Sequence, residues 1–265
     1  MIRVGIGGWT YPPWRGSFYP AGLVQARELE HASRQLGAIE INATFYGPQK
    51  PASFARWRDG TPEGFVFSVK ASRHATHRRV LAEAGESIER FLAGGLAELG
   101  PKLGPIVWQF APHQAFDAGD FGAFLQLLPA QLEGLSLRHV MDVRHPSFGC
   151  LDYVRLARRH RVATVYSDAP GRASIADTTG EPIYARLMGC QPDEPTGYPP
   201  EALDRWAACA RSWCDGGTPA ALPLLDGPTE PGPSREVFVF FINGAKERAP
   251  AAALALQQRL AGAAG

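Results

Sequence analysis

Short apolar runs and longer amphipathic stretches alternate along the whole chain. Residues 3–8, 38–43, 65–70, 105–110, 138–143, 162–167, 182–187 and 236–241 carry the runs that predict strands. Helical spacing falls between them, over 27–36, 51–59, 86–98, 119–128, 151–160, 200–214 and 248–261. Pro250 sits in the first turn of the last helix, where its missing N–H costs nothing. The 171–181 connection is too short and polar for a full helix. Strand–helix alternation repeated about eight times predicts a parallel sheet, and eight units close most naturally as an α/β TIM (β/α)8-type barrel. A doubly wound open sheet is the alternative, but it more often begins with a phosphate-binding glycine fingerprint. Residues 215–235, rich in Gly and Pro, break the rhythm and read as an inserted, mobile loop within a single domain spanning 1–265.

Phase along the strands sharpens this picture. In Ala38–Tyr46, Ile39 and Ile41 share one face while Glu40 and Asn42 share the other, and Thr44, Phe45 and Tyr46 follow at once. That grouping reads as a strand running into a site. In the third strand Phe65, Phe67 and Val69 form the bulky, helix-facing set, leaving Val66, Ser68 and Lys70 inward. Gln109 is in phase with Val107, and Val140, Asp142 and Arg144 share a face. Asp168, Arg186 and Asn243 close the sixth, seventh and eighth strands. Early strand positions stay apolar or small and late ones turn polar, the gradient of a barrel with its site at the C-terminal mouth.

Composition sets the outer limits. The chain has 265 residues, 45% hydrophobic and 20% charged, which allows a large core, and an α/β barrel typically uses about 250 residues as one domain. With 27 basic against 26 acidic residues there is no general pull toward nucleic acid or an anionic membrane. Cys150, Cys190, Cys209 and Cys214 form no CxxC pair, and Cys209 and Cys214 do not share a helix face, which argues against zinc or a disulfide framework. A strand pattern starts at the N-terminus, with no signal peptide and no bilayer-length run, so a reducing, cytoplasmic setting is expected.

The polar mouth supplies the candidate chemistry. Glu40, Asp142 and Asp168 are candidate acids or bases, and Lys70, Arg144 and Arg186 candidate anion binders or electrostatic stabilisers. A carboxylate with a lysine suits proton abstraction or Schiff-base chemistry, because burial lowers a lysine pKa. The competing reading is a structural ion-pair ring plugging the barrel. The basic stretch Arg73–Arg79 can clamp phosphate or simply be solvated. His74 and His77, with Asp142, His145 and Asp168, have metal-ligand chemistry, but the three cations in the same mouth would repel a metal ion. No metal or other cofactor is therefore expected. Trp9, Tyr11, Trp14, Phe18 and Tyr19, then Phe45 and Tyr46, either stack on sugars or bases or pack the lip of the barrel. No P-loop, GxGxxG, GxSxG or HExxH motif is present.

The ordered motifs carry a resemblance. Gly7-Gly8-Trp9-Thr10-Tyr11, Trp14-Arg15-Gly16, Phe18-Tyr19-Pro20 and Glu40-Ile41-Asn42-Ala43-Thr44-Phe45-Tyr46 resemble the YecE-like family, a domain of unknown function. Pro62-Glu63-Gly64-Phe65, Val69-Lys70-Ala71, Thr76-His77, Leu103-Gly104-Pro105 with Gln109, Arg144-His145-Pro146-Ser147, Ser167-Asp168 and Tyr184-Ala185-Arg186-Leu187 follow in the family's order. The resemblance implies a TIM barrel but no reaction. It implies a shared pocket of Trp9, Glu40, Asn42, Tyr46, Lys70, His77, Gln109, Arg144, His145, Asp168 and Arg186. Family members tend to have a His before Gly189 and to end the eighth strand in Asn-Asn-Asp. Here Met188 and Ile242-Asn243-Gly244 stand instead, so chemistry that needs those polar groups would be altered or lost.

The leading expectation is a metal-independent enzyme using acid/base catalysis on a small polar, anionic substrate, phosphorylated or sugar-like. Glu40 would be base or acid, Lys70 a proton shuttle or electrophile, and Arg144 and Arg186 the anion clamp. His77, His145 and Asp168 would orient the substrate or exchange protons, with Trp9, Asn42, Tyr46, Gln109, Asp142 and Asn243 completing the binding surface. Two other readings stand beside it. One is a metal-dependent phosphodiester hydrolase on nucleic acid, the less favoured partner; the other is a non-catalytic protein binding a small ligand. The sequence sets no oligomeric state.

Overall fold

The computed structural model describes residues 1–227 and 230–262. Among them, eight parallel strands close into a barrel: β1 (Ile2–Gly7), β2 (Ala38–Ile41), β3 (Val66–Lys70), β4 (Leu103–Gln109), β7 (His139–Asp142), β8 (Ala163–Ser167), β9 (Ile183–Leu187) and β10 (Val237–Phe241). The two remaining strands, β5 (Gln131–Leu132) and β6 (Leu135–Ser136), form a small hairpin outside it. Each barrel strand pairs with its successor in the chain, the hairpin aside, and β10 closes on β1 through Ile2↔Val237 to Ile6↔Phe241. The connections carry helices α1 (Glu28–Gln35), α2 (Ala43–Tyr46), α3 (Pro51–Asp59), α4 (Arg73–Thr76), α5 (Gly85–Leu92), α6 (Ala118–Gln126), α7 (Leu151–Arg159), α8 (Pro200–Cys214) and α9 (Ala249–Ala261). Most of the connections between successive barrel strands therefore carry a helix, the βα arrangement of a TIM barrel.

Alternation decides which core each residue joins. Val4, Ile6, Ile39, Ile41, Phe67, Val69 and Met141 face outward into the layer between strands and helices. Their in-between neighbours Ala38, Val66, Val107, Val140, Val165, Phe238 and Phe240 fill the barrel itself. The helices meet the strands through spacings such as Tyr153, Val154, Leu156 and Ala157 on α7. Gly5 faces inward against β2: a Cβ there would lie 2.1 Å from the Ala38 carbonyl oxygen. The four cysteines are free thiols. Among the described residues no helix is long and apolar enough to cross a membrane.

Several boundaries differ from the sequence reading, each for a local reason. The strand expected over 38–43 ends at Ile41, because the chain turns over the rim into α2; the Thr44 hydroxyl donates to the Lys70 carbonyl at 2.7 Å and pins that turn to β3. The helix expected over 86–98 stops at Leu92, since Gly95 takes φ 101°, a left-handed conformation that ends a helix. The β5–β6 hairpin, two residues a side, is too short to show a periodic pattern. The bottom of the barrel is also not purely apolar or small. Arg3 Nε meets Glu236 Oε1 at 2.6 Å, and Arg138 shares the same carboxylate. No helix forms between Ser167 and Ile183, as expected. In the 215–235 insertion Pro228 and Thr229 lie outside the described residues. The described part is pinned: Asp177 accepts from the Leu225 and Asp226 N–H groups at 2.9 Å each.

Candidate functional site

The C-terminal ends of the strands surround a cavity of about 550 Å³. Its polar floor comes from β3, β4, β9 and the segment after β7, which bring Lys70, Gln109, Arg186 and Arg144 together. Trp9 after β1, Asn42 and Tyr46 around α2, and Asn243 after β10 form the rim. Tyr46 is 65% exposed, whereas Trp14 and Tyr19 are fully buried. The aromatic cluster after β1 therefore divides, Trp9 facing the cavity and Trp14 and Tyr19 packing the lip. The Tyr19 hydroxyl donates to the Trp9 carbonyl at 2.5 Å and holds that segment in place.

Beneath the cavity lies a buried charge network. Arg186 Nη2 donates to Glu40 Oε1 at 2.9 Å and Nη1 to Asp142 Oδ2 at 2.5 Å. The second Glu40 oxygen accepts from the Tyr184 hydroxyl at 2.8 Å, and Tyr184 is 2.8 Å from Ser68 Oγ. Arg144 donates from Nε at 3.2 Å and Nη2 at 2.9 Å to the same Asp142 oxygen, and Nη2 also meets Gln109 Oε1. Burial opposes the charge on Asp142, but Arg186 and Arg144 hold its carboxyl below the usual carboxylate range. Burial likewise opposes the Arg186 charge, and Glu40 and Asp142 still raise its pKa above the ordinary guanidinium value. Both acids beneath the mouth are thus engaged by arginine.

Lys70 is left differently placed. Its ammonium stands 3.9 Å from the Phe45 ring centroid, and no hydrogen bond or ion pair from Nζ forms among the described residues. Burial, with Arg186 adding to it and Glu40 opposing, pushes its pKa down to about 8. Lys246 also lines the cavity, over the rings of Tyr11 at 4.7 Å and Trp14 at 5.6 Å, and burial lowers its pKa as well. A small anion entering here meets cations whose own counter-charges are either absent or already committed to one another.

Other expected residues stand further out. Asp168 lies off the inward phase of β8 and braces the exit from β9, accepting from the Met188 N–H at 2.5 Å and the Tyr198 hydroxyl at 2.6 Å. Burial raises its pKa against those hydrogen bonds. His145 precedes the 3₁₀ turn at Pro146–Phe148, with Nδ1 2.8 Å from Ser147 Oγ and accepting from the Ser147 N–H at 3.2 Å. His77 is exposed, edge-on to Phe45 at 5.2 Å; burial first, then Arg144 and Lys70, lowers its pKa. His74 lines a separate cavity of about 260 Å³ beside α5. Among the described residues no three His, Cys, Asp or Glu side chains are placed to hold a metal ion.

Sequence reasoning missed Tyr184, Lys246 and the apolar wall of Met188 and Ile242. Tyr184 sits two residues before Arg186, so the strand phase already placed it inward. Lys246 lies in the loop after β10, where no period marks it. Met188 and Ile242 both line the cavity, so the two departures from the resembled family come together on one side of it. Gly244 closes that side with φ +79°, and a Cβ there would lie 2.4 Å from the Cys190 carbonyl oxygen. A residue larger than glycine does not fit this backbone.

Fold and mouth define the class: a TIM-barrel protein with a cation-lined pocket above a buried ion-pair network. The chain belongs to the DUF72 family, whose profile, described as a protein of unknown function, matches residues 3–264. It is 28% identical over 151 residues to the UPF0759 protein YecE of Escherichia coli strain K12, covering 56% of this chain and 50% of that protein. It is 29% identical over 117 residues to the UPF0759 protein YunF of Bacillus subtilis strain 168, covering 42% and 40%. The chain thus spans half or less of the curated relatives it matches. A crystal structure of a DUF72 family protein from Thermotoga maritima MSB8 superposes with TM-score 0.74 at 21% identity, covering 98% of this chain and 99% of that one. A second, from Enterococcus faecalis V583, gives TM-score 0.69 at 14% identity over 98% and 96%. These likenesses establish the barrel fold.

Proposed function

We propose that the protein is an enzyme acting by acid/base chemistry on a small polar anion held in the barrel mouth. Lys70 supplies the lone pair that starts the reaction, and Arg144 and Lys246 hold the anionic group. The observation that carries this reading is the contrast among the cations. Arg186 is committed to Glu40 and Asp142, whereas Lys70 faces the cavity with no acid at hydrogen-bond distance. Arg144 spends Nε and Nη2 on Asp142 and Gln109, which leaves Nη1 for a ligand. Glu40, placed among the catalytic candidates by its position, is fully buried and acts through Arg186, holding its guanidinium in place beneath the floor. Gathered positive charge in a partly desolvated cleft favours carboxylate or phosphate over neutral sugar.

Calorimetric titration with inorganic phosphate, short dicarboxylates, sugar phosphates and the matching neutral sugars tests the anion pocket. Phosphorylated or carboxylated compounds should bind and their neutral counterparts should not. Arg144→Gln should weaken the anions by about tenfold or more, the worth of one charge-assisted contact. Equal affinity for neutral and anionic compounds, or no change in the variant, would sink the reading.

A further inference from the structure

We propose that Lys70 forms an iminium adduct with the carbonyl carbon of a small substrate that also bears a carboxylate or phosphate. This rests on the anion-pocket reading and specifies where the lysine's lone pair goes. The first support is the chain's choice of cation. Among 27 basic residues only four are lysines: Lys50, Lys70, Lys102 and Lys246. Lys102 is used as a fixed hydrogen-bond donor, meeting the Arg58 and Thr61 carbonyls at 2.5 and 2.6 Å, and Lys50 precedes α3 at the surface. The other two line this one cavity. A guanidinium can hold an anion equally well but cannot present a lone pair, so an amine at position 70 points to the free-base form.

Geometry supplies the second support. The Phe45 ring covers one side of Nζ at 3.9 Å, and the other side opens on the cavity. An aromatic face that accommodates an ammonium accommodates an iminium cation equally, because both carry the charge at nitrogen. With Asp142 and Glu40 held by Arg186, no carboxylate among the described residues ties up the amine. The flanking guanidiniums and burial keep it unprotonated at lower pH than an ordinary lysine. Arg144 and Lys246 then place the anionic end of the substrate, while Met188 and Ile242 offer an apolar wall to its carbon chain.

The chemistry balances without an outside redox partner. Lys70 first loses its ammonium proton to solvent. Its lone pair adds to the carbonyl carbon, the C=O π electrons move to oxygen, and one proton passes through solvent from the now cationic nitrogen to that oxygen, giving a neutral carbinolamine whose nitrogen lone pair is restored. A second proton on the hydroxyl lets it leave as water, the nitrogen lone pair forms the C=N bond, and the cationic iminium results. In the trapping experiment, cyanoborohydride supplies hydride to the iminium carbon and leaves a stable secondary amine.

The full chain is incubated with glyoxylate, pyruvate or dihydroxyacetone phosphate and cyanoborohydride, then analysed by intact mass and peptide mapping. We expect a single adduct on Lys70, with Lys50 and Lys102 in the same molecule serving as internal controls. The initial rate should rise with pH around a midpoint near 8, where the amine loses its proton. It should fall about tenfold in Arg144→Gln, as the anion loses one charge-assisted contact. Lys70→Arg should abolish the adduct; the internal controls keep the result decisive if that variant folds poorly. Adducts spread evenly over Lys50, Lys70 and Lys102, or no adduct with any of the three compounds, would overturn the inference. Calorimetry without reductant separates the two levels. Binding without an adduct overturns the iminium alone, and absence of binding overturns the anion pocket with it.

Discussion

Replacing Arg186 by methionine is expected to destabilise the protein by about 3–5 kcal/mol at neutral pH, measured by urea unfolding. The residue is 1% exposed and is the shared partner of two carboxylates that the barrel buries completely or nearly so. Methionine fills much of the same space but leaves the buried Glu40 carboxylate without its arginine and Asp142 with Arg144 alone, and desolvated anions are costly. The deficit should be largest at neutral pH and narrow as pH falls toward about 4. The sign follows from the two states. In the parent, Asp142 has a depressed folded pKa, so its contribution is present above the unfolded value and lost only as pH falls through the folded one. In the variant, burial disfavours the charge on the carboxylate that has lost its arginine, so acid relieves it. Adding Glu40→Gln to Arg186→Met should recover most of the loss, because Asp142 keeps Arg144 as its partner. An Arg186→Met protein as stable as the parent would show that the network does not support the barrel.

Gly5→Ala is expected to cost about 3 kcal/mol, read as a lowered midpoint of thermal or urea unfolding. The added methyl would lie 2.1 Å from the Ala38 carbonyl oxygen, 2.8 Å from its carbon and 2.9 Å from the Phe240 ring. Two of these are backbone atoms in the register Gly5↔Ala38, so relief requires β1 and β2 to move apart. The strain reaches the site, because Glu40 lies two residues beyond Ala38 on the same face. Gly37→Ala is the matched control. Its nearest neighbours would stand 3.7 Å away or more, ordinary contact, so its effect should stay within about 1 kcal/mol. Similar destabilisation by the two substitutions would argue against close packing at Gly5.

The strands and most helices were legible because their signals are local. A period of two marks a barrel strand buried on both sides, and the bulkier set, such as Phe67 and Val69, marks the helix-facing side. The same alternation put Glu40, Lys70, Gln109, Asp142 and Arg144 on the polar or inward phase, whereas Arg186 was reached only as the residue that closes its strand. It failed where the signal is conformational rather than periodic. The rim turn at Asn42–Tyr46 and the break at Gly95 depend on backbone torsions, and the β5–β6 hairpin is shorter than one readable period. Asp168 and His145 were grouped with the site because they end or follow strands. Position near a strand end says nothing of side-chain direction, and both turn to brace neighbouring loops.

The sequence by itself determined the barrel, the inward face of the second to fifth strands and the kinds of charge at its mouth, since each follows from neighbours a few residues apart. It did not determine which charge answers which. Glu40 and Arg186 are 146 positions apart and Asp142 and Arg186 are 44, and these contacts exist only when the barrel closes. Closure delivers one arginine to two acids, and Lys70 is left facing the cavity beside Phe45. Coulomb energy depends on distances that only the tertiary structure sets, and in this barrel those distances separate the cation that holds the floor together from the amine that faces a ligand.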